Sequence, residues 1–406
     1  MRLKIINFVG MFGRLIFSLL MVAMVATASA QTFRENGINY IIGSEDEKEC
    51  LVTYGDSASY AGHIVIPREV EHEGIKYAIT GIGAYAFSNC TELISVSLGD
   101  NILTIGNSAF RNCKQLSASN LPEGTSLGTG VFYGCSSLTA MSLPASMEVL
   151  PDYTFYGCKA LEGVGNTVQL TSIGAYAFST CTSLKTIVTE GCLKTIGDGA
   201  FSFCSSLEMT CLSGDDMTIG NGAFSACTSL GEVWTRGVYE IGDEAFSACS
   251  ALATMAFDET MKNIGSGAFH NCPSLRKVIS LSPVPPYMSN ITFDAGTYDS
   301  ARLEVATESV LLYRQTPPWV YFKTIEAYVP DITAVGSISK SESSLKVSRQ
   351  GSLLRVSGPS GSVWITDITG RRLYEGEKGE EDALITVDFS GVAVITLNSQ
   401  TLKILL

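Results

Sequence analysis

Residues 82–93, Ile82-Gly83-Ala84-Tyr85-Ala86-Phe87-Ser88-Asn89-Cys90-Thr91-Glu92-Leu93, form the first of nine versions of one phrase, Ile-Gly-x-x-Ala-Phe-x-x-Cys-x-x-Leu. Strong copies place Phe at 110, 178, 201, 224, 246 and 269. Two weaker copies centre on Phe132 and Phe155, where Leu127-Gly128 and Leu150-Pro151 replace Ile-Gly. Successive Phe residues lie 22 or 23 apart. A fixed period of that length predicts a β-rich solenoid, one turn of chain per copy.

Each copy ends in a short alternating stretch, such as Leu93-Ile94-Ser95-Val96-Ser97-Leu98 or Leu138-Thr139-Ala140-Met141-Ser142-Leu143. Period two marks a strand, with Val96 and Leu98 turned inward and Ser95 and Ser97 outward. The Gly after Ile suits a tight bend, and the Ala-Phe-x-x-Cys-x-x-Leu spacing suits a single helical or 3₁₀ turn. One such turn buries too little apolar surface to offset its own ordering, so neighbours must share one core and their strand hydrogen bonds.

Nine of the twelve Cys (90, 113, 135, 158, 181, 204, 227, 249 and 272) occupy one column of the repeat. No C-x-x-C or His-containing cluster accompanies them, which speaks against metal. In-register side chains on strands about 4.8 Å apart run parallel, a poor approach for disulfides. Buried free thiols acting as small apolar groups are the expectation. Cys50, Cys192 and Cys211 lie off the column.

The repeated phrase resembles the BspA-like class of leucine-rich repeat, found in exported bacterial surface proteins. That resemblance implies a right-handed leucine-rich-repeat coil over residues 81–282. It also implies a leading β cap over residues 31–80, with Gly62-His63-Ile64-Val65-Ile66-Pro67 and Tyr77-Ala78-Ile79-Thr80. A trailing cap unit over residues 283–330 would carry Pro285-Pro286, Phe293, Leu303-Glu304-Val305, Trp319 and Phe322-Lys323-Thr324-Ile325. Members of the class include adhesins for host extracellular-matrix and plasma proteins, so by analogy a protein ligand is expected. The family offers no catalytic residues to transfer.

Ahead of the repeats stand Arg2, Lys4 and Arg14, an apolar run over residues 15–26, and Ala28-Ser29-Ala30 before Gln31. This order reads as a cleaved secretory signal over residues 1–30, leaving no segment to insert in a membrane. After the repeats, residues 331–344 are Ser-rich and read as a linker. Residues 345–406 alternate in short stretches and predict a small β-sandwich. Within it, Val363-Trp364-Ile365-Thr366-Asp367-Ile368-Thr369-Gly370-Arg371, Ser390-Gly391 and Lys403-Ile404-Leu405-Leu406 resemble the sorting domain of type IX secretion. Ala393 stands where that pattern has Tyr, so a sorting domain and a structural module both remain open. The implied location is secreted or at the surface of a Gram-negative bacterium.

The formal net charge is −13, and the leader takes three cations with it. That balance excludes nucleic acid and anionic membrane as natural partners. Alternation points two columns of side chains outward. One runs Ser97, Asn120, Ser142, Gly165, Val188, Cys211, Trp234, Ala256, Ile279; the other runs Ser95, Ala118, Ala140, Gly163, Thr186, Met209, Glu232, Thr254, Lys277. Val188, Met209, Trp234 and Ile279 stand out as sizeable apolar groups directed at solvent. They form the expected protein-binding patch, with Trp234 as anchor. A passive envelope protein is the alternative, in which that strip is covered; the Asp-Ser-Ala triplets at 56–58 and 299–301 resemble O-glycosylation acceptors.

No enzyme is expected. His63, His72 and His270 show no nearby nucleophile in the sequence, no phosphate loop occurs, and the Gly residues follow the repeat. No cofactor or metal is implied; Asp215, Asp216, Asp258 and Glu259 lack a calcium-loop spacing and read as solvated acids. A monomer is expected.

Overall fold

The computed structural model describes residues 31–44, 46–55, 60–187, 192–208 and 211–329, and the strands of the tail between 346 and 405. The leader (1–30) and the linker (331–344) lie outside the described residues.

The repeats form a coil of stacked turns. One parallel ladder contains the alternating stretches: Gly62–Val65, Leu93–Ser97, Ala118–Asn120, Ala140–Ser142 and Gly163–Gly165. Lys185 N donates to Glu162 O at 3.3 Å and Glu208 N to Lys185 O at 2.9 Å, carrying the stack across the next turn. The ladder then continues through Cys211–Ile219, Glu232–Ile241, Thr254–Phe257, Lys277–Ser280, Arg302–Val305 and Thr324–Ala327. Leu93 and Val96 are buried and Ser97 is exposed, as period two requires, while Leu98 is partly buried against the core.

A second parallel ladder was not expected. It consists of two-residue rungs at the Ile-Gly place of the repeat, including Thr104–Ile105, Ser172–Ile173 and Asn263–Ile264, with Ser126–Leu127 and Val149–Leu150 in the two weaker copies and Tyr287–Met288 in the trailing unit. In Cys211–Ile219 and Glu232–Ile241 both ladders run along a single long strand. The Gly beside this ladder serves close stacking, not a bend. None of Gly83, Gly106, Gly242 or Gly265 has positive φ, and a Cβ on Gly265 would lie 2.3 Å from the Gly242 carbonyl carbon.

The Phe segment departs from the helical or 3₁₀ turn that its spacing suggests. Ala86, Ser88 and Cys90 donate back three residues, to Gly83, Tyr85 and Phe87. The intervening Tyr85, Phe87 and Asn89 instead donate to Asn107, Ala109 and Arg111 of the next turn, at 3.0, 2.8 and 2.7 Å. A helix would keep every N–H inside the segment. Here half of them leave it, so the turn is tied sideways as a strand would be. Left-handed backbone at Tyr85 (φ 58°) and Asn89 (φ 62°) makes the alternation feasible.

Inside the coil, Phe87, Phe110, Phe132, Phe155, Phe178, Phe201, Phe224, Phe246, Phe269 and Phe293 stack face to face. Centroid separations run from 4.9 to 5.6 Å and ring planes lie within 18° of parallel. The column cysteines are buried free thiols. From Cys113 to Cys272, each Sγ–H donates to the Phe carbonyl of the preceding turn at 3.0–3.2 Å.

Both ends are closed. At the leading end Thr32–Glu35, Ile38–Ser44 and Glu49–Thr53 form an antiparallel meander. Glu49–Thr53 pairs in parallel with Ile75–Ile82, which passes into the first repeat. Tyr60 lies 4.7 Å from Phe87 and donates its hydroxyl proton to Thr53 O, starting the aromatic column. At the trailing end Tyr298 and Phe322 meet Phe293 edge-on at 74°, which stops the face-to-face stack. Trp319, fully buried, donates its indole N–H to Pro286 O at 2.8 Å.

The tail contains two antiparallel sheets. One comprises Lys346–Gln350, Leu353–Ser357 and Ala383–Thr386; the other comprises Arg372–Lys378, Gly361–Asp367, Val392–Leu397 and Gln400–Leu405. Val356 and Ile385 on the first, and Val363 and Ile365 on the second, are buried, in keeping with a small β-sandwich. The residues 368–371 and 390–391 of the sorting-domain resemblance lie outside the described residues.

Candidate functional site

The open face of the first ladder is built by registered pairing. Ser95 aligns with Ala118, Ala118 with Ala140, and Ala140 with Gly163; Ser142 aligns with Asn120 and Gly165. Further along, Cys211, Trp234, Ala256 and Ile279 align in one column, and Glu232, Thr254 and Lys277 in its neighbour. In the first half Ser97, Ala140, Ser142 and Gly165 are exposed and small.

Trp234 is half-buried and its indole N–H donates to the carboxylate of Glu232, two residues back on the same strand face. The ring is thereby held in one orientation. Val188 and Met209 lie outside the described residues, and of Cys211 only the backbone is described.

Ile279 is a correction. Its register places it on the outward column, between Ala256 and Glu304, yet it is 1% exposed; Ala256 is also 1% and Glu304 5%. Ile279 and Ala256 both stand apart from the main interior cluster. Alternation decides which side of a sheet a residue occupies, not whether that side is open. The ladder sets Ala256 and Glu304 directly against Ile279 at a strand spacing of about 4.8 Å. Beside it Lys277 Nζ lies 3.2 Å from Glu304 Oε2, and Arg302 lies 4.0 Å from Glu304 and 3.1 Å from Glu326. This charged end, supplied by the trailing unit, extends the two columns beyond the nine repeats. Its signal was present in Leu303-Glu304-Val305, which continues the alternation of Val278-Ile279.

Asp258 is a second correction, since it is buried where a solvated loop acid was expected. It accepts from Gly237 N at 2.7 Å, Thr260 Oγ1 at 2.6 Å and Thr260 N at 3.1 Å, bracing two adjacent turns. Burial pushes its carboxyl upward, while the Thr260 hydroxyl and the Gly237 and Thr260 amides oppose that shift.

The histidines are more engaged than the sequence shows. His63 Nδ1 lies 2.7 Å from Ser95 Oγ on the exposed sheet face, a contact between residues 32 apart in the chain. His72 stacks on Phe33 at 4.1 Å, and His270 pairs with Asp294 at 2.6 Å. The Ser95–His63 pair sits on an exposed face, and among the described residues no carboxylate pairs with the imidazole to supply the orienting third group of a hydrolytic triad. Among the described residues no three metal-ligating side chains converge, and no helix is long and apolar enough to cross a membrane.

Comparison with curated protein sequences finds no match. Among solved structures the chain is similar to a leucine-rich repeat protein from Bacteroides ovatus, with 22% identity over 61% of this chain and 94% of that one, and a TM-score of 0.23. It is also similar to a leucine-rich cell surface protein from Faecalibacterium prausnitzii, with 19% identity over 75% and 97% and a TM-score of 0.34. A third is the pneumococcal vaccine antigen PcpA, with 15% identity over 75% and 100% and a TM-score of 0.35. The profile of the BspA type leucine-rich repeat region matches residues 69–164, 125–236, 148–276 and 217–293, an overlapping set that spans more than half of the sequence. With its registered turns and Phe column, the chain belongs to the BspA type leucine-rich repeat family.

Proposed function

We propose that this protein is a secreted, surface-exposed scaffold of a Gram-negative bacterium that binds a protein ligand in the manner of an adhesin. The observation that carries this reading is Trp234. It is partly open on the sheet face and its indole donates to Glu232, so little side-chain freedom is lost when a partner packs on it. The sequence alternation assigns Val188 and Met209 to the same columns, and on this reading they belong to the binding patch. The small residues of the first half let a partner approach the backbone closely. On the resemblance of residues 363–371, the tail acts as the export signal of type IX secretion.

The burial of Ala256 and Ile279 favours a second reading, in which the face is covered and the protein is a passive envelope component. Protease shaving of intact cells, with the full chain probed against purified extracellular-matrix and plasma proteins, separates the two. The adhesin reading expects shaved peptides from the repeats and, for the bound protein, a loss of about thirtyfold in affinity with Trp234→Ala, or about 2 kcal/mol. Cells lacking residues 345–406 should release no such peptides. Peptides without any bound protein support the passive reading, and unchanged affinity in Trp234→Ala removes the anchor.

A further inference from the structure

The second ladder borders a groove of about 510 Å³ near its trailing end. Registered pairing sets Glu240, Asn263 and Tyr287 side by side along it. Tyr287 is 77% exposed, the most exposed large apolar side chain among the described residues. Asn221, Asp243 and Ser266 line the groove as well. Two of these are aimed by the fold: Asn221 Oδ1 accepts from Asp243 N at 2.8 Å, and Asp243 Oδ1 from Ser266 N at 2.7 Å.

We infer that this groove binds a neutral oligosaccharide, with Tyr287 as the platform for one sugar ring. Three features select that chemistry. No Lys or Arg lines the groove while two carboxylates do, which disfavours phosphate, sulfate and sialic acid. The remaining polar groups include donors (the Asn amides and the Ser hydroxyl) and acceptors (the carboxylates). A sugar hydroxyl both donates and accepts and can meet both kinds. A Lys or Arg side chain of a basic peptide only donates, so it would satisfy the carboxylates and leave the amide N–H groups of Asn221 and Asn263 without an acceptor from that side chain.

The third feature is spacing. Rungs of a parallel ladder recur every ~4.8 Å, so the line from Asn221 to Tyr287 covers about 14 Å over three intervals. That is a length suited to two or three linked pyranose rings lying along the coil axis. The apolar C–H face of a sugar packs on an aromatic ring, and an exposed Tyr with polar groups converging beside it is the arrangement such a ligand needs. This site lies on the second ladder, apart from Trp234, and stands or falls independently of the protein-binding face.

The test is calorimetric titration of the full chain with neutral trisaccharides of glucose, galactose, mannose and N-acetylglucosamine. A sialylated trisaccharide and a Lys-rich peptide serve as competing chemistries. Saturable binding of at least one neutral trisaccharide is expected, weakened about tenfold or more by Tyr287→Ala and nearly retained by Tyr287→Phe. Asn263→Ala should also weaken it, and Trp234→Ala should leave it unchanged. Tyr287 is exposed and Asn263 partly exposed, and circular dichroism should show both variants folded. The inference is overturned if no neutral trisaccharide binds at millimolar concentration, if Tyr287→Ala binds as the parent does, or if only the peptide or the sialylated sugar binds.

Discussion

A cysteine at the inner position of a turn is small enough to lie beneath the next aromatic ring and still has one proton to donate. Its Sγ–H reaches the Phe carbonyl of the turn before, so the column is a chain of weak hydrogen bonds along the axis. Burial pushes the thiol of Cys90 up to about 11 and those of Cys50, Cys204 and Cys272 up to about 12, from a usual value of 9.0. The sign follows from linkage. Well below pH 9, near neutrality, the folded and unfolded chains both hold these protons, and stability does not depend on them. Between the unfolded and folded values only the unfolded chain releases them, so stability falls by about 1.4 kcal/mol per pH unit for each thiol. Urea midpoints should therefore be nearly level from about pH 6.5 to 8 and drop steeply from about pH 9 to 11, with several protons released per molecule on unfolding. A midpoint unchanged to about pH 10.5 would contradict a buried thiol column.

At the scale of the element, each turn needs left-handed backbone at two places, and the second of these lies two residues after Phe. Asn89, Asn112, Gly134, Gly157, Thr180, Phe203, Ala226, Ala248 and Asn271 fill it, all with positive φ. Asn and Gly tolerate that region, whereas a β-branched Thr is crowded there. Thr180 still donates its N–H to Ser202 O at 2.8 Å, so the ladder holds the backbone in place despite the side chain. Thr180→Asn should keep the ladder and raise stability by about 0.5–1 kcal/mol in denaturant titration; a loss of stability would mean that the local conformation differs. These turns also mark where sequence reasoning fell short. Tyr, Phe, Glu and Ala at left-handed positions give no local cue, because lateral bonds to the next turn override their own preference. The two-residue rungs of the second ladder are too short to show any alternation.

For the whole molecule, the period of the repeat carried nearly all of the legible information. Phe spacing of 22 or 23 implied a stack, and the rings do stack; the strand columns pair in the anticipated order from Ser95 to Gly163 and again from Glu232 to Lys277. What a period cannot convey is what lies over a face. Ile279 and Asp258 are buried by neighbours from adjacent turns, and Ser95 meets His63 across 32 residues. The groove beside Tyr287 likewise depends on successive turns of the second ladder coming into register, which no single repeat displays. The central claim is that nine column cysteines share one closed interior while Cys192 lies exposed. Alkylation of the native full chain, mapped residue by residue by mass spectrometry, tests it directly. Cys192 should label quickly, and the thiols from Cys90 to Cys272 on the column should stay unmodified until the chain is unfolded. Labelling of Cys158 and Cys181 at the rate of Cys192 in the folded protein would contradict it.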